Sequence, residues 1–443
     1  MQTCDLLITG GTILTMDPEY KVIEEGRIAI QGNRVIQVGN KDDPEINSFD
    51  AKEVIDAKNS LILPGLINCH THGAMSCFRG MADDLTLNEW LNKYIFPAEA
   101  KFVTKEMVYF GTLLSCIEMV RSGTTTFCDG YFFESEAAQA AKDVGMRGIM
   151  GEGVLDVPTP DVKNSPDNIR NAQRFIEKWL GDDLIIPTLF CHSIYTCSSN
   201  TLKKAKAITN HHNIPFLIHL SETQEEVRES LKQFGKRPVA YLAELGVLDE
   251  RLIASHVIWV DDDEIDLLNR KKVKVVHNPE SNMKLASGVA PVPAFLARGI
   301  TVGLGTDGCA SNNDLDLFRE MGMAARLHKV MTNDPTVLDA RTALTLTTIN
   351  GAKVLGRDDI GSLEQGKKAD LIIINLDKPH LVPLYNPCSH LVYAASGADV
   401  TTTIINGKII MRDKIILTVD EEEVMREVRK IAKRVKEWRS RRV

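Results

Sequence analysis

Leu61-Ile62-Leu63-Pro64-Gly65-Leu66-Ile67-Asn68-Cys69-His70-Thr71-His72 is an apolar run that ends in two histidines. An unbroken run of this kind reads as a strand buried on both faces, as in a parallel sheet. Residues i and i+2 of a strand point to the same side, so both imidazoles can converge at one strand tip. Neutral imidazole nitrogen is a ready ligand for zinc, and two such groups on one rigid strand cost little ordering entropy. A bare His-x-His also closes ordinary strands, and the rest of the chain decides between the two readings.

Four later segments repeat the pattern of a short apolar strand ending in a metal-competent or proton-transferring side chain. They are Ile214 to His219, Leu252 to His256, Val273 to His277 and Ile300 to Asp307. Each is followed by loop residues and then a helix-like stretch. Adding Thr124 to Cys128, Arg147 to Met150 and Leu184 to Cys191 to the opening strand gives eight units of alternating strand and helix. Eight such units predict an α/β chain folded as a (β/α)8 TIM barrel, in which chemistry sits at the carboxyl ends of the strands. The polar residues fall at those ends.

At 443 residues and 44% apolar, the chain can bury a large core. The formal charge of -8 and the lack of a dense basic patch argue against a nucleic-acid partner and toward a small-molecule substrate. No apolar run reaches the roughly 18 residues that a bilayer span needs, and no basic-then-apolar leader opens the sequence. A soluble, unexported protein with no membrane partner is expected. Nine cysteines include no C-x-x-C pair, and several lie within apolar strands. Buried, reduced thiols in the cytoplasm are the expectation.

Residues 1–60 read as the first part of a small β-sandwich, with strands at Asp5 to Leu14 and Gly26 to Ile36 and a hairpin turn at Gly32-Asn33. Residues 61–355 read as the barrel, and 356–443 as the second part of the sandwich plus a C-terminal helix. The two ends thus predict one discontinuous domain. Lys105 to Arg121 and Asp314 to Met331 carry apolar residues at helical spacing. In the last 24 residues Val424, Val428, Ile431, Val435 and Trp438 share a stripe, with acids at the start and bases toward Arg442. This segment predicts a docked amphipathic helix.

The motifs P-G-L-I-N-x-H-x-H, H-L-S-E after the fifth strand, H-N-P-x-S-N-x-K-L at the seventh and G-T-D-G-x-x-S-N-N at the eighth resemble those of the amidohydrolase superfamily. Within it they most resemble the 5′-methylthioadenosine/S-adenosylhomocysteine deaminases, over nearly the whole chain. The resemblance implies one zinc per chain, with ferrous iron as the alternative, held by His70, His72, His219 and Asp307. It implies Glu222 as proton shuttle and His256 beside the attacking water, so that Glu222, His256 and Asp307 form the catalytic set. It also implies substrate contacts from Glu99 and His192. Trp90 joins them as a candidate because residues 73–103 read as a long, lid-forming loop.

The residues support these roles on their own chemistry. Three nitrogens and one carboxylate leave zinc an open position for water. Glu222, three residues past His219, is placed to move protons to the ring and to the departing amine. The fourth strand ends Phe190-Cys191-His192-Ser193, without the lysine a two-metal site would use. His277 is a strand-end histidine that fits a site role or a loop brace equally.

After the third strand the chain reads Gly151-Glu152-Gly153, where the resembled family carries an arginine for the homocysteine carboxylate. A glutamate facing that carboxylate repels it by about 1 to 4 kcal/mol at about 4 Å. Glu152 is therefore expected to disfavour S-adenosylhomocysteine against 5′-methylthioadenosine, 5′-deoxyadenosine or adenosine. The expected reaction is hydrolytic deamination of such a nucleoside to the inosine analogue and ammonia. Alternatives are hydrolysis of another heteroaromatic ring, such as guanine, a pterin or an s-triazine, and a non-catalytic scaffold of the same fold. The partner expected is the small-molecule nucleoside, with room for a homo-oligomer.

Overall fold

In a computed structural model, which describes residues 2–440, the chain builds two sheets. Eight parallel strands follow one another in chain order: Leu66–Thr71, Thr124–Tyr131, Arg147–Val154, Ile185–Cys191, Phe216–Leu220, Leu252–His256, Lys274–His277 and Val302–Leu304. Helices lie between successive strands and cover the sheet, which explains why the strands read as continuous apolar runs. The eighth strand returns to the first. Just beyond it the Asp307 amide donates to the His70 carbonyl at 2.9 Å. At Gly303 an added Cβ would stand 2.6 Å from the Cys69 sulfur. The sheet is therefore a nearly closed (β/α)8 barrel, filled by Ile67, Cys69, Cys128, Ile149, Phe190 and Leu217 among others.

Nine strands from both ends of the chain form one mixed sheet beside the barrel. Leu371–Asn375 runs antiparallel to Ser60–Pro64, which in turn lies parallel to Gln2–Leu14. Val22–Gln31 and Arg34–Asn40 meet at Gly32, in the left-handed conformation the hairpin turn asks for. The opening apolar run is thus two strands, since Ser60–Pro64 belongs to the terminal sheet and the barrel begins at Leu66. Gly65 makes the crossing. A Cβ there would lie 2.1 Å from the Thr125 side chain, so no larger residue fits without displacing the second barrel strand.

Residues 73–103 are largely helical where a loop was expected, with turns at Gly73–Phe78, Leu87–Glu89, Trp90–Ile95 and Phe96–Phe102. Lys105–Arg121 and Leu317–Thr332 are helices, as is Glu421–Arg439, which buries Val424, Val428, Ile431 and Val435. The basic residues Arg441 and Arg442 of the expected final helix lie outside the described residues. Among the described residues no helix is long and apolar enough to cross a membrane.

One buried ion pair ties the two sheets together. Arg147, fully buried at the start of the third barrel strand, donates to both carboxylate oxygens of Asp370 at 2.9 and 3.2 Å. Asp370 also accepts from the Asn406 amide at 2.6 Å. Removing one partner of such a pair strands the other charge in a dry interior. Asp370→Ala is expected to lower the unfolding free energy by about 3–5 kcal/mol. Denaturant titration checks this, and a change below about 1 kcal/mol would contradict the pair's structural role.

Candidate active site

The carboxyl ends of the barrel strands bring the expected ligands together. A β-bulge between Asn68 and Thr71 turns the end of the first strand, and the rings of His70 and His72 stand with centroids 4.8 Å apart. His219 enters from the fifth strand, its Nε2 3.1 Å from Nε2 of His70. The ligand atoms of these three histidines all lie within 4.8 Å of one another. Asp307 approaches from the eighth strand, its Oδ1 3.2 Å from Nε2 of His72 and 3.5 Å from that of His70.

Donors that share one zinc at about 2.0–2.2 Å stand about 3.0–3.6 Å apart, and the pairs just described among Asp307, His70, His72 and His219 keep spacings of 3.1 to 3.5 Å here. The outer atoms of the set are also engaged as ligands require. His72 Nδ1 donates to the Gly130 carbonyl at 2.6 Å, which leaves its Nε2 lone pair free. Asp307 Oδ2 accepts from the hydroxyls of Ser281 at 2.7 Å and Ser311 at 2.9 Å, and Oδ1 from the Gly308 amide at 2.8 Å. Burial lowers His70 to about 4 and holds His219 well below the usual imidazole range, so both present the neutral, ligating form. Burial also opposes charge on His72, yet the Asp307 carboxylate and the Gly130 carbonyl raise it to about 9. The set of lone pairs calls for a positive charge, and the residues fit a zinc ion.

Glu222 and His256 stand beside this cluster. His256 Nδ1 is 2.8 Å from Asn282 Oδ1, and its Nε2 is 4.0 Å from Glu222 Oε2. The Ser287 hydroxyl donates to Glu222 Oε1 at 3.2 Å. Burial raises the Glu222 pKa, and His256 draws it back.

A cavity of about 640 Å³ opens above these groups, lined by His72, His219, Glu222, His256 and Asp307 at its floor. Trp90, Glu99 and His192 line its walls, with Tyr131 and Tyr195. Glu99 Oε1 accepts from the Tyr131 hydroxyl at 2.7 Å, and burial pushes its pKa up to about 7. His192 Nδ1 is 3.2 Å from the hydroxyls of Ser193 and Thr196, and burial, with the imidazoles of His72 and His256, pushes it down to about 3. The Trp90 indole nitrogen is buried with no hydrogen-bond partner.

Glu152 is not among the lining residues, and its expected contact with the substrate is corrected. Ile149 of the same strand faces the barrel interior, so Gly151 and Gly153 share that side and Glu152 has the opposite parity. Its Oε2 accepts from the Glu134 amide at 3.1 Å, and the side chain is buried behind the strand. Burial and the neighbouring Asp161 carboxyl raise its pKa well above the carboxylate range. Gly153 lines the cavity instead. His277 also stays out of it, with Nε2 3.2 Å from Nε2 of His328. Tyr131, Ser287 and Asn282 were not singled out in the sequence. Asn282 lies inside the H-N-P-x-S-N motif, where its position five residues after His277 was a usable signal.

An amidohydrolase family model matches residues 61–410. The chain is 49% identical to the 5-methylthioadenosine/S-adenosylhomocysteine deaminase 1 of Syntrophus aciditrophicus, over 99% of each protein. It is 45% identical to the 5′-deoxyadenosine deaminase of Methanosarcina mazei, over 97% of this chain and 98% of that one. Among solved structures, an adenosine deaminase from Xanthomonas campestris with bound zinc superposes with a TM-score of 0.96 at 36% identity, covering 98% of this chain and 99% of that one.

His70→Ala and Asp307→Asn are each expected to lower zinc retained after dialysis by at least about tenfold, since one removes a candidate ligand and the other its negative charge. Elemental analysis of the dialysed proteins checks this. Retention at the wild-type level would remove that residue from the ligand set.

Proposed function

The chain belongs to the amidohydrolase family, and from that premise we propose that it deaminates adenine nucleosides bearing a small, neutral 5′-group, giving the inosine analogue and ammonia. The observations that support this reading are the three clustered histidines, the Asp307 carboxylate against two of them, and Glu222 and His256, all beneath one largely apolar cavity. His70, His72, His219 and Asp307 would hold a zinc ion, which would supply Lewis acidity and lower the pKa of a water at the site from about 15.7 toward about 7.

The chain's own groups handle the protons. Water gives two: one goes to the ring nitrogen beside C6, the other to the departing amine, as a C–O bond forms and the C–N bond breaks. Glu222 carries them, because its Oε2 faces the floor of the cavity while Oε1 is held by Ser287. Its raised pKa suits a group that must both take and return a proton. His256, fixed through Nδ1 by Asn282, presents Nε2 toward the same space and orients the attacking oxygen. Glu99 offers a carboxylate to a ribose diol, and His192 a ring nitrogen to the nucleoside. A bare guanine, pterin or s-triazine has no diol for Glu99 to hold, which favours the nucleoside.

Preference for a neutral 5′-group rests on the cavity wall. Leu87, Trp90, Leu91, Leu155, Val157 and Pro158 line it, and among the described residues Lys163 is the single lysine or arginine there. An apolar substituent buries surface there at about 25 cal/mol per Å², whereas a homocysteine zwitterion loses hydration from two charges. Nine free cysteines, eight of them buried, support a reducing, cytoplasmic setting.

Glu222→Gln is expected to lower kcat by two or more orders of magnitude while metal content stays near wild type. More than about a tenth of wild-type turnover would move the proton role elsewhere. On one preparation, kcat/KM for 5′-methylthioadenosine and 5′-deoxyadenosine should exceed that for S-adenosylhomocysteine by about tenfold or more. If the homocysteine compound is the best substrate, the reading of the apolar wall fails. Glu152→Gln should leave this ranking unchanged.

A further inference from the structure

Glu226 takes no part in the chemistry just described, yet both of its oxygens end on the turn that carries Glu222. Oε1 accepts from the Ser221 amide at 2.9 Å and Oε2 from the Glu222 amide at 2.8 Å. Glu226 is the third residue of the helix Gln224–Phe234, whose start is capped by Thr223. In a usual capping box a glutamate at this position folds back onto the amide of the capping residue itself. The helix Asp262–Arg270 does so, with the Asp261 amide donating to Glu264 at 3.3 Å. Glu226 instead passes over Thr223 and reaches the two amides before it.

Those amides belong to a strained turn. Ser221 has φ +52°, a left-handed conformation costly for a residue with a Cβ. Its carbonyl accepts from the amides of Ile258 at 3.0 Å and Trp259 at 2.9 Å, in the loop that follows His256. The turn is thus clamped from both sides, by a carboxylate on its amides and by the next loop on its carbonyl. Backbone amides only donate and a carboxylate only accepts, so the arrangement admits no alternative reading of donor and acceptor. Glu226 is buried, where water cannot replace it.

We propose that Glu226 is the positioning residue for Glu222: its two hydrogen bonds hold the Ser221-Glu222 turn in the strained conformation that presents the Glu222 carboxylate to the cavity, where it transfers protons. This inference rests on the deaminase reading for its kinetic consequence, and on geometry alone for the clamp.

Glu226→Gln keeps the size of the side chain but has one acceptor oxygen for two amides. It is expected to lower kcat about ten- to a hundredfold while KM changes by less than about threefold and zinc content holds. Glu264→Gln, at the equivalent position of the other helix, should change kcat by less than about twofold. In a double-mutant cycle, Glu226→Gln should add little to the loss already caused by Glu222→Gln, because it acts through that residue. Hydrogen exchange at the Ser221 and Glu222 amides should accelerate in Glu226→Gln, a readout that needs no activity. Unchanged exchange overturns the clamp. Faster exchange with unchanged kcat, or losses that add in the double mutant, overturns the positioning role. Absence of deamination by the wild type would count against the proposed function and leave the exchange result to decide the clamp.

Discussion

The hydrogen bond from the Asp307 amide to the His70 carbonyl, 2.9 Å long, does two things at once. It returns the eighth barrel strand to the first, and it sets the carboxylate of Asp307 against the imidazoles of His70 and His72. Parallel strands end in unpaired groups at one rim, so closing the sheet forces their last residues into a shared space. His219 reaches that space from the fifth strand, so the closure brings the four candidate donors together.

The rim carries its cost openly. Ser221, His256, Val257 and Asp307 all adopt left-handed backbone conformations, at the ends of the fifth, sixth and eighth strands. Each is worth about 1–3 kcal/mol of strain, tolerable only where surrounding bonds over-determine it. They do so here. Ser221 is held on both sides by Glu226 and by the Ile258 and Trp259 amides, and Asp307 by Ser281, Ser311 and Gly308. Left-handed residues also occur at turns elsewhere in the fold, but these four stand at the rim beside the cavity groups, while the barrel below them is an apolar core.

Much of this was legible in the sequence because it depends on strand ends. Apolar runs closing on His70, His72, His219, His256, His277 and Asp307 marked the fold, and the family resemblance picked the donor set from among them; the structure gathers these strand ends at one rim, except that His277 pairs with His328 outside the cavity. Glu152 was misread for a physical reason. In a strand buried on both faces, apolar residues occupy both parities, so the sequence does not tell which side a polar residue takes. Only the pairing of Ile149 with the barrel interior settles it. The break at Gly65 was hidden likewise, because Ser60–Pro64 and Leu66–Thr71 are equally apolar though they belong to different sheets. Glu226 was invisible because it acts on backbone amides, which have no signature in side-chain spacing.

One titration bears most directly on the mononuclear hydrolytic account. Protein stripped with a chelator is supplied with increasing zinc, and conversion of 5′-deoxyadenosine to the inosine analogue is followed by absorbance. The expected result is no turnover without metal and a linear rise that levels off at one zinc per chain. A plateau at two, or turnover by the stripped protein, would contradict it.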